Sequence, residues 1–332
     1  MTECGLTLVL VVGVDMKIWR VAMALLLWVG MQSSAVANTA QPVVDAQTLS
    51  ALLSVPKVKV IDIRSADFYA ADHIPTALSA PYGKWRGPAH NPGQLADSQY
   101  LQQLVRDLGI AQDEHVIVYS SGDSQTDFGA AARVYWTLKY VGLTHLSVLD
   151  GGYQQWQKAG LATENTTPEI QPSDFIAHIN SSVVISKDEL LAKVTSKDPQ
   201  AQIIDARPEA FYEGKVKAPT ASTPGTIAGA KNAQHQQWFS DKSATLKPVQ
   251  EILQLVQQQG LDQAAETVSF CNTGHWAATN WFVLSEVAKL KNVRLYPASL
   301  AEWTQAEQAL PMKNTPSRGD QILNKFQQLI KK

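Results

Sequence analysis

One ordered set of features occurs twice along this chain, and that repeat restricts the fold to two similar units. "VVDAQTLSALL" from Val43 has its counterpart in "VISKDELLAKV" from Val184, where Ser186 and Glu189 have the spacing of a capping box that opens a helix. Each is followed by a β-branched run ending in Asp-x-Arg, Asp62 and Arg64 in the first copy, Asp205 and Arg207 in the second. "HVIVYSSGDS" with Ser120 and "TVSFCNTGH" with Cys271 come next, each a strand-like run entering a polar turn before a helical pattern. "VLDGGYQQW" and "LYPASLAEW" close the copies at Trp156 and Trp303. Short apolar strands alternating with amphipathic helices predict an α/β fold in each copy, a mostly parallel sheet with helices on both faces.

The repeat sets the domain limits. The first unit spans 43–162, the Pro- and Thr-rich stretch within 163–182 is the linker, and the second unit spans 183–310. The end of the chain, 311–332, contains "DQILNKFQQLIKK", the pattern of an amphipathic tail helix packed on the body. Residues 1–37 read as a secretory signal: Lys17 and Arg20 precede an apolar stretch from Val21 to Met31, Ala35-Val36-Ala37 follows as a small-x-small cleavage site, and Met16 is an alternative start. A membrane anchor is the competing reading, but Asp15, Lys17 and Arg20 interrupt the apolar run. The expectation is therefore a periplasmic or secreted protein with no membrane association after cleavage. A formal net charge of −2 without a long basic run gives no nucleic-acid footprint.

Cleavage after Ala37 removes Cys4 and leaves Cys271 as the one thiol of the mature chain, so no intrachain disulfide can form. A buried Cys can serve as a small hydrophobe. This one stands where a strand ends and a helix begins, the edge at which open α/β sheets bind ligands. Backbone N–H groups of such a turn and the positive end of the helix stabilise an anion and lower a Cys pKa from about 8.5 towards neutrality. Gly274 lets the backbone turn tightly around the sulfur. Other Cys chemistries lack their partners. A Cys-dependent phosphatase needs Cys-x5-Arg, but the sixth residue after Cys271 is Ala277. His275 shares the turn without a triad-type signature, and no metal ligand set with zinc-type spacing accompanies Cys271.

With these residues in view the chain resembles the tandem-domain rhodanese-like sulfurtransferases, the thiosulfate/3-mercaptopyruvate family, in an exported bacterial type. The resemblance runs from Val43 to Trp303 and includes "DHIPTA" from Asp72, "GTIAGAKN" from Gly225, the Cys-x-x-Gly-x-x-Ala loop and "LDGGYQQW". It implies two rhodanese-like domains, no bound cofactor or metal, and Cys271 as the nucleophile that accepts sulfur as a persulfide. Asn272, Thr273, Gly274, His275 and Trp276 complete the active-site loop. It further implies a small-molecule sulfur donor and a thiol or cyanide-like acceptor, with a protein sulfur acceptor as another partner. Ser120 leaves the first domain catalytically silent. The alternative is a sulfur-carrier or protein-binding module without turnover. Asn272 and Thr273 stand where thiosulfate-using members often carry cations, and Phe211 stands where mercaptopyruvate-using members carry Arg, so donor choice stays open.

Asp62, Arg64, Asp205 and Arg207 read as structural pairs, Trp156 and Trp303 as core anchors and His73 as a loop-satisfying group, while His275 suits pocket and packing roles equally. The loop "PYGKWRGPAHNPG" is too rich in aromatic and basic residues to be mere connection. Two readings of it stand: a surface loop docked for stability, or one in which Trp85 and Arg86 reach over the domain interface as substrate contacts beside Cys271.

Overall fold

The computed structural model describes residues 1–2, 40–241, 243–317 and 319. The chain divides into two compact units, Met1–Thr39 and Ala40–Lys332. The proposed signal segment lies almost wholly outside the described residues, and so does the stretch from Gln321 to the end of the tail. Everything below concerns the second unit.

β-Branched runs form the strands, and polar turns separate them from the helices. The first half contains β1 (Val43–Val44), α1 (Ala46–Leu52), β2 (Val58–Asp62), α2 (Ala66–Ala71), β3 (Leu78–Ser79), α3 (Ser98–Asp107), β4 (His115–Tyr119), α4 (Gln125–Tyr140), β5 (Leu146–Leu149) and α5 (Gly152–Lys158). Its sheet has the order β1-β5-β4-β2-β3, and every pairing in it is parallel. The second half contains α6 (Lys187–Ser196), β6 (Ala201–Asp205), α7 (Glu209–Tyr212), β7 (Thr226–Ile227), β8 (Lys231–Asn232), α8 (Val249–Gln258), β9 (Glu266–Phe270), α9 (Trp276–Phe282), β10 (Val293–Leu295), α10 (Ser299–Trp303) and β11 (Met312–Lys313). Its parallel sheet runs β10-β9-β6-β8, and a parallel bridge from Val184 to Leu295 sits where β1 meets β5 in the first half. The duplicated α/β architecture is thus present in both halves. The Ser186–Glu189 capping box opens α6 with both reciprocal bonds formed.

The opening of the tail differs from its expected helix. Met312 and Lys313 form β11, which pairs antiparallel with β7 and extends the second half beyond residue 310. Between the halves, the segment after α5 is pinned to the first sheet's surroundings: His73 and Glu164 exchange backbone hydrogen bonds, and Arg106 holds the carbonyl of buried Phe175.

One core cluster spans both halves. Helix α4 is buried at every position from Phe128 to Leu138, so it lies within the molecule and not on its surface. It packs on α9, with Tyr135 edge-on to Phe282 at 4.9 Å and Phe128 edge-on to Phe282 at 5.6 Å. Trp136, Trp238 and Trp281 are buried in the same cluster, each worth about 1.5–3 kcal/mol of apolar burial. After Phe282 the helix widens into a π turn, Val283–Val287, which places Glu286 against Tyr135 and Lys139 of α4. Among the described residues no helix is long and apolar enough to cross a membrane.

Candidate active site

Strand β9 is buried from Thr267 onward and delivers Cys271 to its C-terminal end, where the side chain is 1% exposed. The register that sets Asp205 opposite Phe270 brings the Asp205–Arg207 pair to the same sheet edge. The Cys271 N–H donates to Ser299 Oγ at 3.0 Å, and that hydroxyl donates to the Tyr296 carbonyl.

The carbonyls of the following turn are all drawn towards outside donors. Cys271 O accepts from the Leu300 N–H (3.2 Å) and Asn272 O from the Ala301 N–H (3.0 Å), both at the start of α10. Thr273 O accepts from Arg86 Nη2 at 3.0 Å and Gly274 O from Arg133 Nη1 at 3.3 Å. In a trans peptide the C=O and the next N–H point in opposite directions. Holding these carbonyls outward therefore turns the N–H groups of Asn272, Thr273, Gly274 and His275 to the other side of the turn, the arrangement of an anion-binding nest. Gly274 makes this possible with φ +68°; an added Cβ would stand 2.2 Å from Pro297 O and 2.3 Å from Arg133 Nη1.

The last two loop residues are tied to the first half through Thr126. His275 Nε2 lies 2.6 Å from Thr126 O, so that nitrogen carries the hydrogen, and Nδ1 accepts from Tyr82 Oη at 2.9 Å. Burial, followed by the charge of Arg86, pushes the imidazole down to about 3, so it is neutral at physiological pH. Both ring nitrogens are occupied, which assigns His275 to holding the interface. Trp276 Nε1 donates to Thr126 Oγ1, while its ring stacks on His235 at 4.8 Å and meets Phe211 at 5.9 Å. His235 donates from Nδ1 to Ala206 O, and burial pushes it down to about 4.

The other residues singled out in the sequence fall as follows. Asp205 and Arg207 form a buried pair at 2.6 Å, as do Asp62 and Arg64 at 2.7 Å; Arg207 also reaches Asn272 Oδ1 at 3.3 Å. Trp156 and Trp303 are buried, and His73 bonds the carbonyl of Tyr69. Arg86 crosses to the Cys271 loop, but through the carbonyl of Thr273. Trp85 requires correction: it is 1% exposed, donates to Ala80 O and belongs to the core cluster that spans both halves, so it is a packing anchor and not a contact reaching over to substrate. An indole in an aromatic, basic loop gains more from burial than from a seam contact.

Sequence reasoning missed Arg133, Tyr82, Thr126 and Ser299. Only Arg133 left a signal, a lone cation inside the apolar run "FGAAARVYWTL". In the first half, Ser120 takes the position of Cys271, and the turn after it is filled from within: the Gly122 N–H donates to the Asp127 carboxylate at 2.5 Å.

A parallel sheet whose C-terminal edge presents a thiol in a turn of held carbonyls defines an α/β domain with a cysteine at its ligand-binding edge. The chain belongs to the family described as Rhodanese-like domain, whose pattern matches residues 45–159 and 186–306. A Pseudomonas aeruginosa protein named "Probable 3-mercaptopyruvate sulfurtransferase" is 31% identical over 281 residues, covering 78% of this chain and 93% of its own length. A Mycobacterium bovis protein with a provisional thiosulfate sulfurtransferase name is 28% identical over 261 residues, covering 76% and 90%. The crystal structure of SseA from Escherichia coli, described as a 3-mercaptopyruvate sulfotransferase, superposes with a TM-score of 0.68 at 26% identity, covering 79% of this chain and all of that one.

Proposed function

We propose that this sulfurtransferase moves a sulfane sulfur from a small donor of the thiosulfate or 3-mercaptopyruvate type to a thiophilic acceptor through a persulfide on Cys271. The observation that carries this is the turn after Cys271, in which four successive carbonyls are each held by a donor from outside the turn. The thiolate attacks the outer sulfur of the donor; an S–S bond forms, the donor's bond to that sulfur breaks, and the remainder leaves with the electron pair. The acceptor nucleophile then attacks the outer sulfur, and the Cys271 thiolate is the leaving group. Negative charge stays on sulfur in the turn throughout, so one set of dipoles serves both half-reactions.

Incubation with thiosulfate and with 3-mercaptopyruvate separately, followed by intact-mass and peptide mass spectrometry, tests this. A gain of one sulfur atom on the Cys271 peptide, removed by cyanide or a thiol, is the expected result; no gain with either donor refutes it.

The first domain is read as catalytically silent, because Ser120 cannot hold sulfur and Asp127 already occupies a turn amide. Ser120→Ala is expected to leave kcat/KM within about twofold; a loss of several tens-fold reassigns that domain. The reading also includes export, with residues 1–37 as a leader and a periplasmic or secreted mature protein. Support comes from the basic, apolar and Ala-x-Ala order of the leader. N-terminal sequencing of the expressed chain that begins elsewhere than after Ala37 would argue against that cleavage site.

A further inference from the structure

Arg133 has no exposed surface, and its hydrogen-bond partners are neutral backbone carbonyls. Its Nη2 donates to Gly93 O at 2.9 Å, its Nη1 to Gly274 O at 3.3 Å, its guanidinium lies 5.0 Å from the Trp136 ring, and its Nε has no partner. Half-buried Arg86 donates to Tyr82 Oη at 2.9 Å and to Thr273 O at 3.0 Å. Among the described residues neither arginine makes an ion pair. The other buried arginines, Arg64 and Arg207, are each chelated by the Asp two residues before them.

A buried cation without an anion is unstable by several kcal/mol, so a negative charge is expected within reach. Burial, then Arg86, pulls Arg133 down to about 9, which leaves it cationic at neutral pH. Of the groups facing the two guanidinia, Tyr82 is held protonated by burial and His275 is neutral. Asp205 neutralises Arg207, and Lys139 and Glu286 neutralise each other further along α4. What the two guanidinia share is the loop of Cys271, which they grip two and three residues after the thiol, at Thr273 O and Gly274 O.

We infer that Arg133 and Arg86 are the counter-charges of the Cys271 sulfur, positioning residues by which the first domain keeps thiolate and persulfide in their charged form. The inference rests on the reading of Cys271 as the sulfur carrier. The same two arginines orient the carbonyls of Thr273 and Gly274, so charge and amide direction are set by one pair of contacts. This gives the domain without a thiol a direct part in the chemistry of its partner.

Alkylation of Cys271 by iodoacetamide, followed by peptide mass spectrometry across pH, tests the inference without any sulfur donor, so its failure is separable from failure of the transfer reading. In Arg133→Met and Arg86→Met the rate near about pH 6 is expected to fall about tenfold and to recover to the wild-type rate near about pH 10. Arg133→Lys is expected to restore most of the loss. If Arg133→Met does not fold, half-buried Arg86→Met carries the test. An unchanged pH profile, a uniform loss at every pH, or a loss seen with anionic iodoacetate but not with iodoacetamide overturns it.

Discussion

Cys271→Ser is expected to reduce sulfur transfer to the uncatalysed background while leaving the fold in place. A hydroxyl is a weaker nucleophile than a thiolate and a poor leaving group, so it can neither take sulfur from a donor nor release it to an acceptor. The turn itself does not depend on sulfur. Its carbonyls are held by Leu300, Ala301, Arg86 and Arg133, and the Cys271 N–H is held by Ser299. Serine is slightly smaller than cysteine, so the packing loss stays near about 1 kcal/mol. Steady-state assays with cyanide as acceptor, paired with a thermal melt, check both halves of the statement. Turnover above background in a folded Cys271→Ser chain would move the sulfur-carrying role elsewhere.

Asp205→Ala is expected to give the largest loss of stability among single changes near the site, about 3–5 kcal/mol. Asp205 has no exposed surface. Its carboxylate accepts from Arg207 Nε and Nη2, from the Arg207 N–H and from Thr226 Oγ1. Removing it leaves Arg207, 1% exposed, as a charge without an anion, beside the neutral Gly225 O, Asn272 Oδ1 and Phe211 ring. The second contact carries the damage into the Cys271 loop, so transfer activity falls with stability. Denaturant unfolding of the two chains measures the difference. A change below about 1 kcal/mol would show that the pair contributes little, as exposed ion pairs do.

Particular residues show how far reading the sequence reaches. The Ser186–Glu189 capping box, the Asp-x-Arg strand ends and the strand–turn–helix around Cys271 were all legible, because each depends on neighbours within a few positions. Trp85 and Arg86 stand side by side and divide: Arg86 crosses to Thr273, while Trp85 turns inward to Ala80 O. Trp85 ends a short 3-10 turn, Tyr82–Trp85, and Arg86 follows it in extended backbone, so the two side chains leave on different sides, which composition alone does not assign. The terminal segment divides in the same way, since Met312 and Lys313 become a strand only because β7 offers an edge.

By itself, the sequence determined the duplicated α/β architecture and the thiol at the end of a second-half strand. These follow from periodicity, turn chemistry and side-chain identity, which act locally. Only the tertiary structure decided what holds that thiol's turn. Arg133 and Thr126 lie more than a hundred positions away in sequence and meet Gly274, His275 and Trp276 because α4 and α9 share one core. A long-range contact of this kind is fixed by the packing of whole elements, and no spacing along the chain encodes it.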